Sequence, residues 1–196
     1  HSLYSMDFDG SSHVAGPLIG DLIDLGANTS RFSISCWIKT TTTNDGICVA
    51  SAYYNNIVLE GYLTELRFNI ANGVVISAVV DYADGNWHHV AATCDLTSSG
   101  TTMRLYFDGA EIANGNGTRS TDFTNYNFYI GCKGVNYGSP KHFWNGNIDE
   151  FAIFNEVLSE STIQAIYNAT ANNSGKVYDL NQVTEGAPAA WYRMGD

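Results

Sequence analysis

The sequence predicts an all-β protein: two antiparallel sheets packed face to face as a sandwich or jelly roll, with one short helix near the C-terminal end. Three observations carry that prediction. Short strand-like runs recur along the chain, several alternating apolar and polar residues with the period of a pleated strand. Clusters of Gly, Asn and Asp separate them, in a chain with 19 Gly and only 3 Pro. Only one stretch has helical periodicity. Many short strands with regular turns are the pattern of sandwiches and jelly rolls.

In chain order, Phe32-Ser33-Ile34-Ser35-Cys36-Trp37-Ile38 alternates cleanly. Asn44-Asp45-Gly46 and Asn72-Gly73 read as turns. Val74 to Val80 is apolar and β-branched and predicts a well-buried strand. Asp84-Gly85-Asn86 is a turn before a strand from Trp87 to Cys94. Met103-Arg104-Leu105-Tyr106-Phe107 alternates and meets Asp108-Gly109, a strong hairpin signal. Gly115-Asn116-Gly117 reads as another turn, and Phe128 to Gly131 and Ile148 to Phe154 as two more strands. Ser159 is a good N-cap, and Glu160 suits the first turn of a helix, where the dipole favours a carboxylate. Ile163, Ile166 and Tyr167 then share one helical face. Residues 169–176 are polar and Asn-rich, a loop by composition. Trp191 and Tyr192 argue that the tail packs back on the body. The reading is one domain over 1–196, with a core of about 3–168 and a tail of 169–196.

Composition narrows the function. With 44% hydrophobic, 13% aromatic and 15% charged residues, the chain is not a disordered one. Its 20 acidic residues against 9 basic ones, net charge -11, argue against a duplex nucleic-acid partner, which needs clustered Lys and Arg. No apolar stretch approaches the roughly 20 residues of a membrane helix, so membrane insertion is not expected. No secretory leader is read at the start, which begins His-Ser and reads as processed. Cys36, Cys48, Cys94 and Cys132 match no zinc spacing and read as buried free thiols.

Five blocks, taken together, resemble one family. Met6-Asp7-Phe8-Asp9-Gly10 looks like an opening strand and turn, and Phe32 to Ile38 like the next strand. Asp84-Gly85-Asn86-Trp87-His88-His89-Val90-Ala91 is the most recognisable block, and Leu105-Tyr106-Phe107-Asp108-Gly109 follows in order. Gly146-Asn147-Ile148-Asp149-Glu150-Phe151-Ala152-Ile153-Phe154 and the helix after it form the closing block. The order resembles the laminin G-like, concanavalin A-like jelly-roll modules of the lectin-glucanase superfamily, in its bacterial and phage branch. The tail also looks like tails that follow such modules in phage and marine bacterial proteins. The resemblance implies the fold; it does not fix an activity.

Some members of that superfamily are glycanases with Glu-x-Asp-x-Glu on one strand, which alternation sends into one cleft. Asp149 and Glu150 are adjacent, so alternation predicts opposite faces, and Glu156 falls beyond the strand. Leu63-Thr64-Glu65-Leu66-Arg67 looks like part of a motif of jelly-roll alginate lyases, without the Gln-x-His strand that they need. His88 and His89 cannot chelate one ion from a strand; one is expected in the interior and the other on the outer face. Catalysis is therefore not expected.

The resemblance implies one site, and the residues themselves suggest a second. A structural Ca²⁺ at the sandwich edge would be held by Asp9, a carbonyl near Gly10, and Asp149, since the first and closing strands tend to be neighbours in this fold; calcium takes oxygen ligands of this kind. A glycan would be met by aromatic faces and neighbouring amides at loop-like positions: Tyr53, Tyr54, Tyr137, His142 and Trp144, with Tyr126, Asn55, Asn56 and Asn136 beside them. The function expected is a non-catalytic, lectin-like carbohydrate-binding module, possible calcium included, of a larger secreted, cell-surface or virion protein. A structural or adhesion domain contacting protein is the alternative, and an unrecognised glycan-active hydrolase or lyase the second.

Overall fold

The computed structural model of the chain describes residues 5–23, 30–44, 47–52, 57–70, 74–97, 100–117, 126–134, 140–171 and 178–193. Among them the order begins β1 (Met6–Asp9), β2 (Val14–Leu18), α1 (Ile19–Leu22), β3 (Ser30–Lys39), β4 (Ile47–Ala52) and β5 (Ile57–Tyr62). It continues with β6 (Glu65–Ile70), β7 (Val74–Val79), β8 (His88–Thr97), β9 (Gly100–Phe107) and β10 (Ala110–Gly117). β11 (Asn127–Ile130), β12 (Asn145–Phe154), α2 (Glu160–Ala171) and β13 (Ala190–Tyr192) complete it. The strands form two antiparallel sheets. Sheet A runs β1-β12-β3-β8-β9-β10, with β13 also on β12, and sheet B runs β2-β11-β4-β5-β6-β7. The jelly-roll sandwich is the architecture expected.

Alternation builds the core between the sheets. In β3, Phe32, Ile34, Cys36 and Ile38 are buried against Leu59, Leu66 and Phe68 of sheet B. In β12, Ile148, Phe151 and Ile153 fill the same layer. Burying an aliphatic or aromatic side chain contributes about 1.5–3 kcal/mol, so this layer dominates the stability. All four cysteines are buried and free. Asp108 (φ 49°) and Gly109 (φ 79°) close the β9–β10 hairpin with two left-handed residues, the geometry that matches strand twist.

A second apolar layer covers the outer face of sheet A. Ile163 and Ile166 of α2 bury against Ala91, Tyr106, Ala152 and Phe154, and Tyr167 stacks on Trp37 at 5.9 Å. The Ser159 hydroxyl accepts from the Thr162 amide at 3.3 Å, the cap expected there.

Four readings are corrected. Val74 to Val80 is not a well-buried strand: β7 is the edge of sheet B, with Val75 57% and Val79 73% exposed. Gly115-Asn116-Gly117 is not a turn but the end of β10. Its glycines are there for space, because β10 runs close over β7 of the other sheet. A Cβ on Gly117 would overlap Val74 Cγ2, and one on Gly115 would lie 2.7 Å from Ile76 Cγ2. His89, on the outer face of β8, is the fully buried histidine because α2 covers that face.

The fourth correction concerns Asp149 and Glu150. A β-bulge interrupts β12: Asp149 pairs with Trp37 and Ala152 with Ser35, so two residues of β12 oppose one of β3. Glu150 takes φ 50° and donates its amide to Asp149 Oδ1 at 2.8 Å. Ile148 and Phe151 both point into the core. The two acids between them are therefore left on the same side, toward α2, instead of on opposite faces.

Candidate functional site

The expected calcium ligands do not meet. Asp9 pairs with Asn145 and Met6 with Ile148, so Asp149 lies four residues further along β12 than the partner of Asp9, roughly 13 Å at the rise of a strand. Asp9 Oδ1 instead accepts from the amides and hydroxyls of Ser11 and Ser12, at 2.8–3.0 Å. These bonds, those from Ser11 first, hold its pKa at about 2. Gly10 (φ 81°) turns the chain and donates to the Trp144 carbonyl at 3.0 Å. Asp149 is fully buried, one residue past the stretch of β12 that pairs with β1. Among the described residues no three His, Cys, Asp or Glu side chains converge on one point.

Of the aromatic positions, Tyr53, Tyr54 and Tyr137 lie outside the described residues, as do Asn55, Asn56 and Asn136. Trp144 is corrected: it is 0% exposed and part of the core, so it cannot stack on a ligand. His142 is exposed, with φ 53°, and its carbonyl accepts from the Cys48 amide at 2.9 Å. Tyr126 is half-buried against the core.

A polar cluster on the outer face of sheet B was missed. Strand parity puts Leu59, Leu66 and Phe68 in the core and turns Glu60, Arg67 and Asn69 to the other side. Glu60, only 5% exposed, accepts from Lys133 Nζ at 3.3 Å and from Asn69 Nδ2 at 3.3 Å. Lys133 arrives from the segment between β11 and β12, which is fastened across β4. The Ser51 hydroxyl donates to the Cys132 carbonyl at 3.0 Å and accepts from the Gly134 amide at 2.9 Å. The backbones of Lys133 and Lys141 bond each other in both directions.

Next along the face, Glu65 holds Arg67 at 2.9 Å, and the guanidinium lies 3.5 Å above the centre of the Tyr62 ring. Tyr129 and Phe143 bracket His13, with ring centres 5.7 and 6.1 Å away. Beneath them Cys48 is fully buried, and burial, with Glu60 adding to it, pushes its thiol well above the usual range. It stays a neutral thiol, unsuited to nucleophilic attack. Carboxylate, amide, ammonium and guanidinium groups on one face of sheet B, beside aromatic faces, suit the hydroxyl pairs and C–H faces of a sugar.

One signal in the sequence could have found this site. Glu60 is a lone acid after Ile57-Val58-Leu59, a run that reads as a buried strand. A buried carboxylate needs a partner. Nothing in the sequence pairs it with a lysine 73 residues away.

Residues 9–164 match the family profile of the concanavalin A-like lectin/glucanases superfamily. The chain belongs to that superfamily. No curated protein matches its sequence. Solved structures similar in fold include a protein from Bacteroides ovatus provisionally described as carbohydrate-binding, with TM-score 0.66 and 15% identity, over 97% of this chain and 51% of that one. This chain therefore spans about half of that protein. A heptameric SAP-like pentraxin from Limulus polyphemus gives TM-score 0.59 at 14% identity, over 95% of this chain and 90% of that one. Domain 4 of the extracellular arabinanase AbnA from Geobacillus stearothermophilus, solved in complex with arabinotriose, gives 0.52 at 20%, over 80% and 73%. At these identities the likeness is one of fold.

Proposed function

We propose that the chain is a non-catalytic, lectin-like carbohydrate-binding module of a larger surface or virion protein. The observation that carries this is the Glu60–Lys133–Asn69 cluster on the outer face of sheet B, where a carboxylate and an ammonium group are nearly removed from water and a half-buried amide adjoins them. Such groups cost stability unless paired, and a sugar hydroxyl can bond the half-buried Asn69 amide at the edge of the pair. The arabinotriose complex of a module with this fold supports the reading. Calcium enters only as a stabiliser, away from the Asp9–Asp149 pair. The test is a glycan array followed by titration calorimetry of the best ligand. Asn69→Ala, at a half-buried position, should weaken binding up to about tenfold, for one lost hydrogen bond to a sugar hydroxyl. An array without a saturable ligand, or an Asn69→Ala variant that binds as tightly as the parent, would remove this site from the proposal.

A second reading is a module contacting protein, favoured by the edge strand β7. Val75 and Val79 are exposed there, as is Leu63 in the turn between β5 and β6, next to a cavity of about 190 Å³ lined by Thr43, Thr64, Val79 and Tyr82. Val79→Lys separates the two readings: it should abolish a protein contact and leave glycan binding unchanged.

A further inference from the structure

Residues 178–193 lie past the family match at 9–164, yet they are fastened to the body at several points. β12 offers one edge to two strands in succession: β1 takes Asn145 to Ile148, and β13 takes Phe151 to Ile153, with the bulge between them. Along that second stretch, Tyr192, Trp191 and Ala190 face Phe151, Ala152 and Ile153. The Ala189 amide donates to the Ile153 carbonyl at 2.8 Å. Trp191 Nε1 donates to Glu150 Oε2 at 2.7 Å, so the bulge carboxylate, 4% exposed, receives the indole. Tyr192 turns the other way, edge-on to Phe151 at 6.2 Å, and its hydroxyl abuts Gly16 of β2 in the other sheet. Upstream, Leu180 and Val183 bury in the α2 layer. Glu185 accepts from the Ser159 amide at 2.8 Å and from the Thr162 hydroxyl at 2.8 and 2.9 Å, at the start of α2.

These contacts are those of peptide recognition by strand addition: backbone pairing to an open edge, an amphipathic aromatic anchor and a fixed charge at one end. We propose that the Glu150–Ile153 edge of β12, with the start of α2, is a peptide-binding groove. It takes an extended segment that carries an acid followed by Ala-Trp-Tyr, and it is filled here by the chain's own residues 185–192. The occupant is that segment of the chain itself, held as a separable peptide ligand. The bulge is what makes the groove selective, because it turns Glu150 out of the strand register to meet the indole nitrogen. The β1 half of the same edge has no such acid facing it.

The test uses the full chain with a protease site placed within 172–177 and cut after folding. The cut protein is unfolded in urea and refolded with an excess of fluorescent peptide 178–193, so slow release of the original segment does not matter. The expected result is saturable uptake of the peptide by a body with a native β-sheet spectrum. Trp191→Phe in the peptide should weaken uptake about tenfold, for loss of a bond to a charged group, and Glu150→Gln in the body should weaken it in the same direction. A refolded body that takes up no peptide overturns the proposal. So does equal uptake of the parent and Trp191→Phe peptides, which would make the anchor unspecific. Failure of the cut chain to refold with excess peptide, where the uncut chain refolds, would make the segment an inseparable part of the fold and overturn it as well.

Discussion

Lys133→Met is the sharpest perturbation of the Glu60 cluster. Glu60 and Lys133 side chains are 6% and 11% exposed, so the pair is nearly dry. Removing the ammonium leaves a carboxylate that only Asn69, at 3.3 Å, still contacts among the bonds described. Breaking such a buried pair costs about 3–5 kcal/mol. The 3.3 Å separation and the residual exposure put the expectation at the low end, about 3 kcal/mol. At about 2–4 °C per kcal/mol for a domain of this size, the midpoint should fall by about 6–12 °C. Replacing both partners, Lys133→Met with Glu60→Leu, removes the stranded charge and should recover most of that loss, since apolar pairs of similar volume are often neutral or better. Urea unfolding at fixed pH gives both differences, with an unchanged slope showing that only stability moved. The double variant should fold well and bind no glycan. A single variant that costs under about 1 kcal/mol, or a double that is as unstable as the single, refutes the energetics; a stable double that still binds glycan refutes the assignment of the site.

Four further expectations follow from other parts of the molecule. His88 sits between Asp108 at 2.8 Å and Asp84 at 3.0 Å. The Asp108 bond, then that of Asp84, raises its pKa above the ordinary 6.5 against the opposing effect of burial. Its contribution is therefore full below pH 6.5 and lost as pH rises through the folded value, so His88→Gln should flatten the fall in urea midpoint on the alkaline side of pH 6.5. His89 has the opposite sign. Burial lowers it to about 4, so its contribution is full above 6.5 and lost as pH falls toward 4; His89→Phe should reduce the acid loss in the same assay. Gly117→Ala should cost about 1–3 kcal/mol, because the new methyl overlaps Val74 Cγ2, and Val74→Ala should restore part of it. A native-state calcium ion would raise the melting midpoint over that in chelator; equal midpoints at millimolar calcium remove the ion from the proposal.

The fold was legible because a buried strand writes its register into every second residue. Phe32, Ile34, Cys36 and Ile38 announce β3 without reference to anything else in the chain. The same rule misplaced β7, since Val75 and Val79 are as β-branched as a central strand's residues. What separates an edge from a centre is the neighbour that is missing, and no local pattern records it. The candidate site was illegible for a related reason. Among the aromatic residues at loop-like positions, Trp144 is held in the core by the bonds of Gly10 and Gly131 to its backbone. The groups that do form the polar cluster are contributed by β5, β6 and the segment after β11. Their meeting depends on strand order, and strand order is a long-range property.

Asp149 and Glu150 show how one backbone residue changes a functional argument. Regular alternation would place the two acids on opposite faces and disqualify them as a pair. The bulge cancels alternation at that one step and leaves both on the side of α2. Their proximity then looks more like a catalytic pair than the sequence allowed, yet their partners point elsewhere. Asp149 accepts the amide that the bulge frees, and Glu150 accepts the indole of Trp191. A bulge leaves an extra residue outside the ladder, and an unpaired buried amide costs about 1–3 kcal/mol. An Asp immediately before the bulged residue supplies the acceptor. An acid on the bulged residue itself is thrown outward, where β12 exchanges β1 for β13 along its edge. The adjacent acids in the closing strand are thus explained by the geometry of one edge serving two strands, without any substrate.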